Sequence, residues 1–458
     1  MTETLSLRIG AFSAGFTPAH MTAEEAHMAR RALLDTLACA LGGLNEPPVR
    51  AALRYARATS GPAAARVWGL GERLGLEQAA FVNGVAGHVL DFDDVTGPLR
   101  GHPSVAMLPA LCALAEAEGK GLAAVCAAFV AGFEVMGRMG EAIGDEHYAR
   151  GFHATATIGV LGTTVACANL LGLSARQTAD AIGLAVAQAA GSRENFGTDA
   201  KSFQAAHANR AALQSVLLAR EGFDSSPAAL DGPRGYVRLY GAGEDAARAF
   251  ETLGQEPRLL LRARLEVKKY PMCYATHRTL DGLLDLKAET GIGLADVAAV
   301  EVEGSARAFA PLLHDRPQTG LEGKFSLQYA VAAALADGRV TLASFADAAV
   351  RRDAIQAFMP RVTGREGTGP LNPRYADIAV RLKDGRTLRR RVEALRGGPD
   401  MPLTDAQLAE KLADCVAHAG LRADAGAIAA LVLDPADRPV AAVLDLLDVP
   451  ARAAAAAE

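Results

Sequence analysis

The sequence predicts a mainly α protein: a large all-helical domain and a smaller α+β domain placed before the last helices. Helical hydrophobic periodicity runs almost unbroken through the first half of the chain. Strict apolar/polar alternation, the mark of a half-buried strand, appears only after about residue 254. Asp384-Gly385 stands between two alternating runs, a strong short-range hairpin signal.

In chain order, the first helix is expected over 21–42, where Thr22 and Glu25 have capping-box spacing and Gly42-Gly43 ends the run. Helical blocks follow at 51–59, 76–90, 104–118, 122–140 and 155–171. Ser174 and Gln177 cap the next, at 174–190, and 205–221 adds another. No strong strand signal interrupts this half. Strands are expected at 299–304 and 376–382, with 387–389 returning from the Asp-Gly turn. Residues 1–265 thus read as the helical domain, 266–395 as the α+β domain, and 396–458 as helices completing the first. A chain of 458 residues is too long for one core, which independently asks for two or more. Abundant alanine with 5% aromatics favours closely packed helices.

Composition narrows the function. A net charge of -5, from 47 basic and 52 acidic residues, argues against nucleic acid as a partner. A small anion stays possible, since a few cations in one pocket bind it whatever the total. The six cysteines show no CxxC spacing and sit in apolar surroundings, as buried small hydrophobes in a reducing cytoplasm do. The apolar runs 105–114 and 122–133 are broken by Pro, Glu or Gly, so they read as buried helices and not as membrane spans. Residues 1–10 lack the pattern of a signal peptide. There is no GxSxG elbow, Walker loop, Rossmann fingerprint or HExxH, and no cofactor is expected.

Five segments could carry chemistry. Asp91, Asp93 and Asp94 crowd the end of an apolar helix, and His102 follows. Such groups can also bind cations, but no D-x-D-x-D-G loop is present and no metal is expected. His153 precedes a helix start, where free amides and the dipole suit an anion. Lys201 follows a Gly-containing loop, and the run from Lys268 to His277 lies at the domain junction, where clefts form. Lys324 to Tyr329 opens an apolar helix.

Taken together and in order, Leu90-Asp91-Phe92-Asp93-Asp94, Gly101-His102-Pro103-Ser104, Gly151-Phe152-His153, Gly197-Thr198-Asp199-Ala200-Lys201, Lys268-Lys269-Tyr270-Pro271 and Lys324-Phe325-Ser326-Leu327-Gln328-Tyr329 resemble the MmgE/PrpD family. The resemblance spans about residues 5–445. It implies a helical domain with an α+β lid, a homodimer, and catalysis on a small polycarboxylate without metal or organic cofactor. It implies an active site of Asp91, His102, His153, Lys201, Lys268 and Tyr329; Lys268 is preferred to Lys269 because it stands three residues before Pro271. Lys201, Lys268, Arg100 and His277 are the candidate substrate ligands. Val95 stands where aconitate decarboxylases carry a threonine, with Thr96 one place later.

The known family reactions handle a proton at carbon beside a carboxylate. Histidine titrates in the right range, so His102 and His153 are the expected acid/base pair. Lys201 and Lys268 would offset developing charge, Asp91 would orient a histidine, and Tyr329 would donate a proton or anchor substrate. The lid is expected to close Lys268 onto the substrate. The expected order is a hydro-lyase of the 2-methylcitrate dehydratase type, then an iminodisuccinate-type epimerase, then a cis-aconitate-type decarboxylase. A silent helical scaffold is the non-enzymatic alternative, to be recognised by site residues pointing to separate surfaces.

Overall fold

A computed structural model describes residues 4–241, 246–370 and 373–448. Ten helices build the first half: α1 (Leu5–Gly15), α2 (Ala23–Gly43), α3 (Pro47–Thr59), α4 (Leu76–Val89), α5 (Pro103–Ala117), α6 (Leu122–Ala149), α7 (Ala154–Thr157), α8 (Gly159–Leu171), α9 (Ala175–Val186) and α10 (Asp199–Arg220). Both expected capping boxes are present. Thr22 accepts from the Glu25 amide while Glu25 reaches back to the Thr22 amide, and Ser174 and Gln177 do the same at α9. Each box satisfies amides that the first helical turn leaves without partners. The helix expected at 122–140 runs on to Ala149, with a break at Gly144, whose φ of 66° suits a residue without a side chain.

Two short strands were not expected. β1 (Ala65–Val67) and β2 (Glu72–Leu74) form an antiparallel hairpin, each too short for alternation to register.

Small residues set the packing that later matters for the site. A Cβ built on Gly84 of α4 would lie 2.9 Å from the Ala206 Cα of α10, so these two helices touch almost backbone to backbone. Their adjoining ends carry Asp91 and Lys201. Two segments, Leu122–Ala149 and Ala154–Leu171, are long and apolar enough to cross a membrane by composition alone, yet 89% of each apolar window is buried inside the helical core.

The later part of the chain holds a four-stranded sheet of β3 (Val297–Gly304), β4 (Val362–Glu366), β5 (Ala376–Leu382) and β6 (Thr387–Val392), in the order β4-β3-β5-β6. β3, β5 and β6 pair antiparallel, with Asp384-Gly385 in the β5–β6 turn as expected. β4 pairs parallel to β3 and was not expected; only its first residue is buried, so no apolar alternation marks it. The helices His277–Thr290 and Leu327–Asp337 pack on this sheet. Val300, Val302, Ile378 and Val380 share a core with Leu280, Leu283 and Leu335. A separate core joins the ten helices, and it includes Leu408, Leu412 and Val416 of the later helix Asp405–His418, which lies on α2. All six cysteines are buried and unpaired. The terminal alanine run lies outside the described residues.

Candidate active site

The chain reverses direction at the end of α4. Asp91 does this with a φ of 51°, a left-handed conformation uncommon for a residue with a side chain. The reversal turns its carboxylate toward α10 and toward the segment after residue 266. Asp91 Oδ1 accepts from Lys201 Nζ at 2.5 Å, and Lys268 Nζ stands 3.0 Å away. Lys268 also donates to the Asp91 carbonyl at 2.7 Å. His102 Nε2 lies 3.8 Å from the same Oδ1. All four side chains are buried.

Both expected histidines occupy helix N-cap positions: His102 before Pro103 of α5, and His153 before α7. Neither uses its ring to cap, which leaves the imidazoles to face the interior. Asp93 Oδ2 hydrogen-bonds His88 Nδ1 at 2.8 Å and lies 3.1 Å from His102 Nδ1, in an alignment too poor for a full hydrogen bond. The His88 ring lies between the other two, its centroid 4.6 Å from His102 and 6.1 Å from His153. Neither His153 nitrogen has a hydrogen-bond partner of good geometry, although the Gln204 side chain lies beside the ring. Asp94 plays a different part. It accepts from the Ser104 amide and hydroxyl at the start of α5, and burial with Asp35 nearby holds its carboxyl well above the ordinary range.

Burial controls the charges here. It pushes the His102 and His153 rings below their usual value; Asp93 partly restores His102, whereas His88 and Lys201 push His153 further down. His88 is lowered to about 4, again by burial first. Burial also works against the Asp91 charge, but Lys201 and Lys268 outweigh it and hold the carboxylate ionised. The site at neutral pH therefore contains two carboxylates, Asp91 set against Lys201 and Lys268 and Asp93 against His88 and His102, with the imidazoles uncharged. His88, Asp93 and His102 offer donor atoms within 4.8 Å of one another and are the described residues that could hold a metal ion.

The buried histidines predict an acid limit to stability. Their folded values lie below the ordinary ~6.5, so the unfolded chain takes up protons first as pH falls. Their stabilising effect is complete above about pH 6.5 and is lost progressively toward each folded value, at about 1.4 kcal/mol per pH unit per histidine. We expect the thermal midpoint to fall steeply between about pH 6.5 and 4, a span set by His88 with His102 and His153 adding to it. A midpoint unchanged over that range contradicts the burial of these rings.

A cavity of about 670 Å³ unites these groups, lined by Asp91, His102, His153, Lys201, Lys268 and Arg100. A smaller cavity of about 460 Å³ lies across Asp91 and Lys201 and reaches His88 but neither His102 nor His153. Five of the six expected catalytic residues thus meet in one place, and Arg100 joins them, paired with Asp145 at the wall. Lys268 is already seated on Asp91, so closure of a lid is not needed to bring it there.

Tyr329 and His277 require correction. The Tyr329 side chain is fully buried in the core beside the sheet, its hydroxyl donates to the Ser344 carbonyl, and it does not line the cavity. His277 is equally buried, packed between Tyr270 and Tyr274 with Nε2 3.3 Å from the Met272 carbonyl. Burial pushes it down to about 3, which leaves it uncharged and a poor carboxylate ligand. Tyr329 lies on a helix that covers the sheet, and its phase turns it into that core; His277 opens its helix and is held against the 270–276 segment.

Other residues escaped the sequence reading. Asp93 was visible in the acidic cluster, but its partnership with two histidines was not. Arg193, Arg278 and Arg374 line the wall of the cavity without a carboxylate partner within ion-pair distance among the described residues; Arg193 donates to the Tyr148 carbonyl and Arg278 to that of Glu393. Only their meeting in space distinguishes them from surface arginines.

Residues 7–249 match the MmgE/PrpD N-terminal domain, and residues 270–434 match the MmgE/PrpD C-terminal domain. The chain belongs to the MmgE/PrpD family. Its similarity to characterised family members extends over most of its length. It is 28% identical over 433 residues to human (Homo sapiens) cis-aconitate decarboxylase, covering 90% of this chain and 86% of the relative. The cis-aconitate decarboxylase of Mus musculus is 29% identical over 86% of this chain and 82% of its own. That of Aspergillus terreus is 27% identical over 70% of this chain and 69% of its own. The family assignment makes this an MmgE/PrpD family enzyme, and the relatives named here are decarboxylases.

Proposed function

We propose that the protein is a carboxy-lyase acting on a small polycarboxylate of the cis-aconitate type. The observation that carries this reading is the convergence of His102, His153, Lys201 and Lys268 on one cavity. It occurs in a chain aligned over 90% of its length with a cis-aconitate decarboxylase. At the start of α10, Lys201 lines this cavity, while Gly197, Thr198 and Asp199 line the smaller one. The unpaired arginines on the wall suit a second carboxylate, each offering a planar fork of donors.

In this chemistry the bond between carbon and one carboxylate breaks and CO₂ leaves. The electron pair passes through the adjacent double bond to the carbon beside another carboxylate, and that carbon must take a proton. A carboxylate set against His153 or His102 raises the ring's proton affinity, so the substrate's own charge equips a ring to donate. Lys201 and Lys268 offset the negative charge that builds as CO₂ departs. The Asp91 carboxylate keeps both ammonium groups aimed at one point.

Dehydration of the 2-methylcitrate type, ranked first from sequence, is the second reading. It is favoured by Val95, which stands where the decarboxylases carry threonine. Thr96 does not substitute for that hydroxyl, because its Oγ1 donates to the Arg264 carbonyl at 3.1 Å. In a dehydration one imidazole removes the proton and a second acid protonates the departing hydroxyl.

Proton NMR in D₂O with cis-aconitate, citrate, 2-methylcitrate, tartrate and iminodisuccinate separates the readings. We expect CO₂ release from cis-aconitate. New vinyl signals from a saturated substrate, with cis-aconitate untouched, would replace decarboxylation by dehydration, and exchange at carbon without elimination would indicate an epimerase.

A further inference from the structure

We propose that Lys324 and Lys411 are positioning residues that fix Asp91, acting through the backbone on either side of it and not on substrate. This rests on the reading of Asp91 as part of the active site. Three consecutive carbonyls, those of Leu90, Asp91 and Phe92, each accept a hydrogen bond from a different buried lysine. Lys324 donates to Leu90, Lys268 to Asp91 at 2.7 Å, and Lys411 to Phe92 at 2.8 Å. These lysines come from three distant segments: the turn before the helix Leu327–Asp337, the segment after residue 266, and the helix Asp405–His418.

The two outer lysines have a second carbonyl each, and both belong to the segment that carries Lys268. Lys324 donates to Pro271 at 2.9 Å, and Lys411 to the Lys268 carbonyl at 3.0 Å. Together they staple the turn bearing Asp91 to the segment bearing Lys268, so the two partners of a central ion pair are held from behind. Lys411 is itself seated by Asp35, 2.6 Å away.

The turn has physical need of such a device. The last carbonyls of a helix have no intrahelical partners, and α4 ends at Val89. Asp91 is held at a φ of 51°, where a side chain is disfavoured and surrounding contacts must impose the conformation. An ammonium group supplies three donors in a compact head and suits the negative end of a helix. A purely structural lysine would be indifferent to which carbonyls it met, whereas here the three bonds fall in sequence on the residues flanking one carboxylate.

The test is a mutant cycle. Lys324→Met leaves no partner charge exposed, and Asp35→Asn with Lys411→Met removes both members of the supporting pair together. Each is measured with Asp91 intact and with Asp91→Asn, for kcat, KM and thermal midpoint. With Asp91 intact we expect kcat per folded molecule to fall roughly 10- to 100-fold, the cost of a misplacement near 1 Å. KM should change less than about 3-fold. In the Asp91→Asn background the same changes should cost less than about 2-fold, because the residue they position is gone. Equal losses in both backgrounds, or a lowered midpoint with kcat unchanged, would overturn the proposal. If Asp91→Asn alone leaves kcat intact, the reading of the active site fails instead. Crystal structures of the variants then decide the clamp without turnover: Asp91 should leave its left-handed conformation and part from Lys201, and an unmoved Asp91 overturns the proposal. Lys324→Met carries the test alone should the double variant not fold.

Discussion

Replacing Asp91 by asparagine lowers kcat by at least ~10³-fold and destabilises the fold by about 3–5 kcal/mol. The two effects share a cause. One carboxylate, Asp91, faces Lys201 at 2.5 Å and Lys268 at 3.0 Å, and all three groups are buried. Burial opposes the Lys201 charge, and Asp91 with Asp93 more than compensates. An amide keeps the shape but leaves two buried ammonium groups without their counter-charge. Breaking a buried pair from one side costs far more than the pair contributes, because the orphaned charge has no water to turn to. Catalysis suffers because the lysines lose the point on which both are aimed, and with it the arrangement that would meet charge developing on the substrate. Urea denaturation and kcat, each corrected for folded fraction, check the two numbers separately. A variant with full activity and unaltered stability contradicts the electrostatic account of the site.

His153→Asn is expected to behave in the opposite way, lowering kcat by ~10²–10⁴-fold with stability changed by less than about 1 kcal/mol. Neither ring nitrogen of His153 has a hydrogen-bond partner of good geometry, so asparagine removes no well-formed bond from the folded protein. The ring is buried, and burial, His88 and Lys201 all push against its protonated form. Keeping an unsatisfied imidazole in such a place is costly unless something else uses it. A substrate carboxylate supplies the missing partner and favours the ring's charged form, which is the state a proton donor needs. His88 offers the control. Its ring is bonded to Asp93, so His88→Asn should reduce stability by more than His153→Asn does. If His153→Asn retains wild-type kcat, protonation runs through His102 or another donor.

Much of this was legible in the sequence, for reasons that individual residues make plain. Long helices announce themselves by period and caps, as at Thr22 and Ser174, and the β5–β6 hairpin by Asp384-Gly385. The site segments stood out because they place charge at the ends of apolar helices, where side chains project from N-caps and turns into a cleft. The sequence could not divide labour among neighbours. Asp91, Asp93 and Asp94 lie within four residues, yet one holds lysines, one pairs with histidines and one caps α5. Their directions depend on the left-handed turn at Asp91, which no local pattern announces. Tyr329 and His277 were misread for a related reason. Each follows a segment that does reach the site, but Tyr329 sits on a helix face turned to the sheet and His277 is enclosed by Tyr270 and Tyr274. Lys411 gave no signal at all, because a lysine on an amphipathic helix looks like any other. Its contact with Phe92 spans 319 residues of sequence.

The most direct test of the central claim is where the wild-type enzyme places solvent deuterium while it consumes cis-aconitate in D₂O. The account predicts one deuteron, delivered to a single face of one carbon in the product, because an imidazole fixed on one side of the cavity protonates the carbanion. Deuterium spread over both faces, or no turnover of cis-aconitate at all, contradicts a positioned donor at this site.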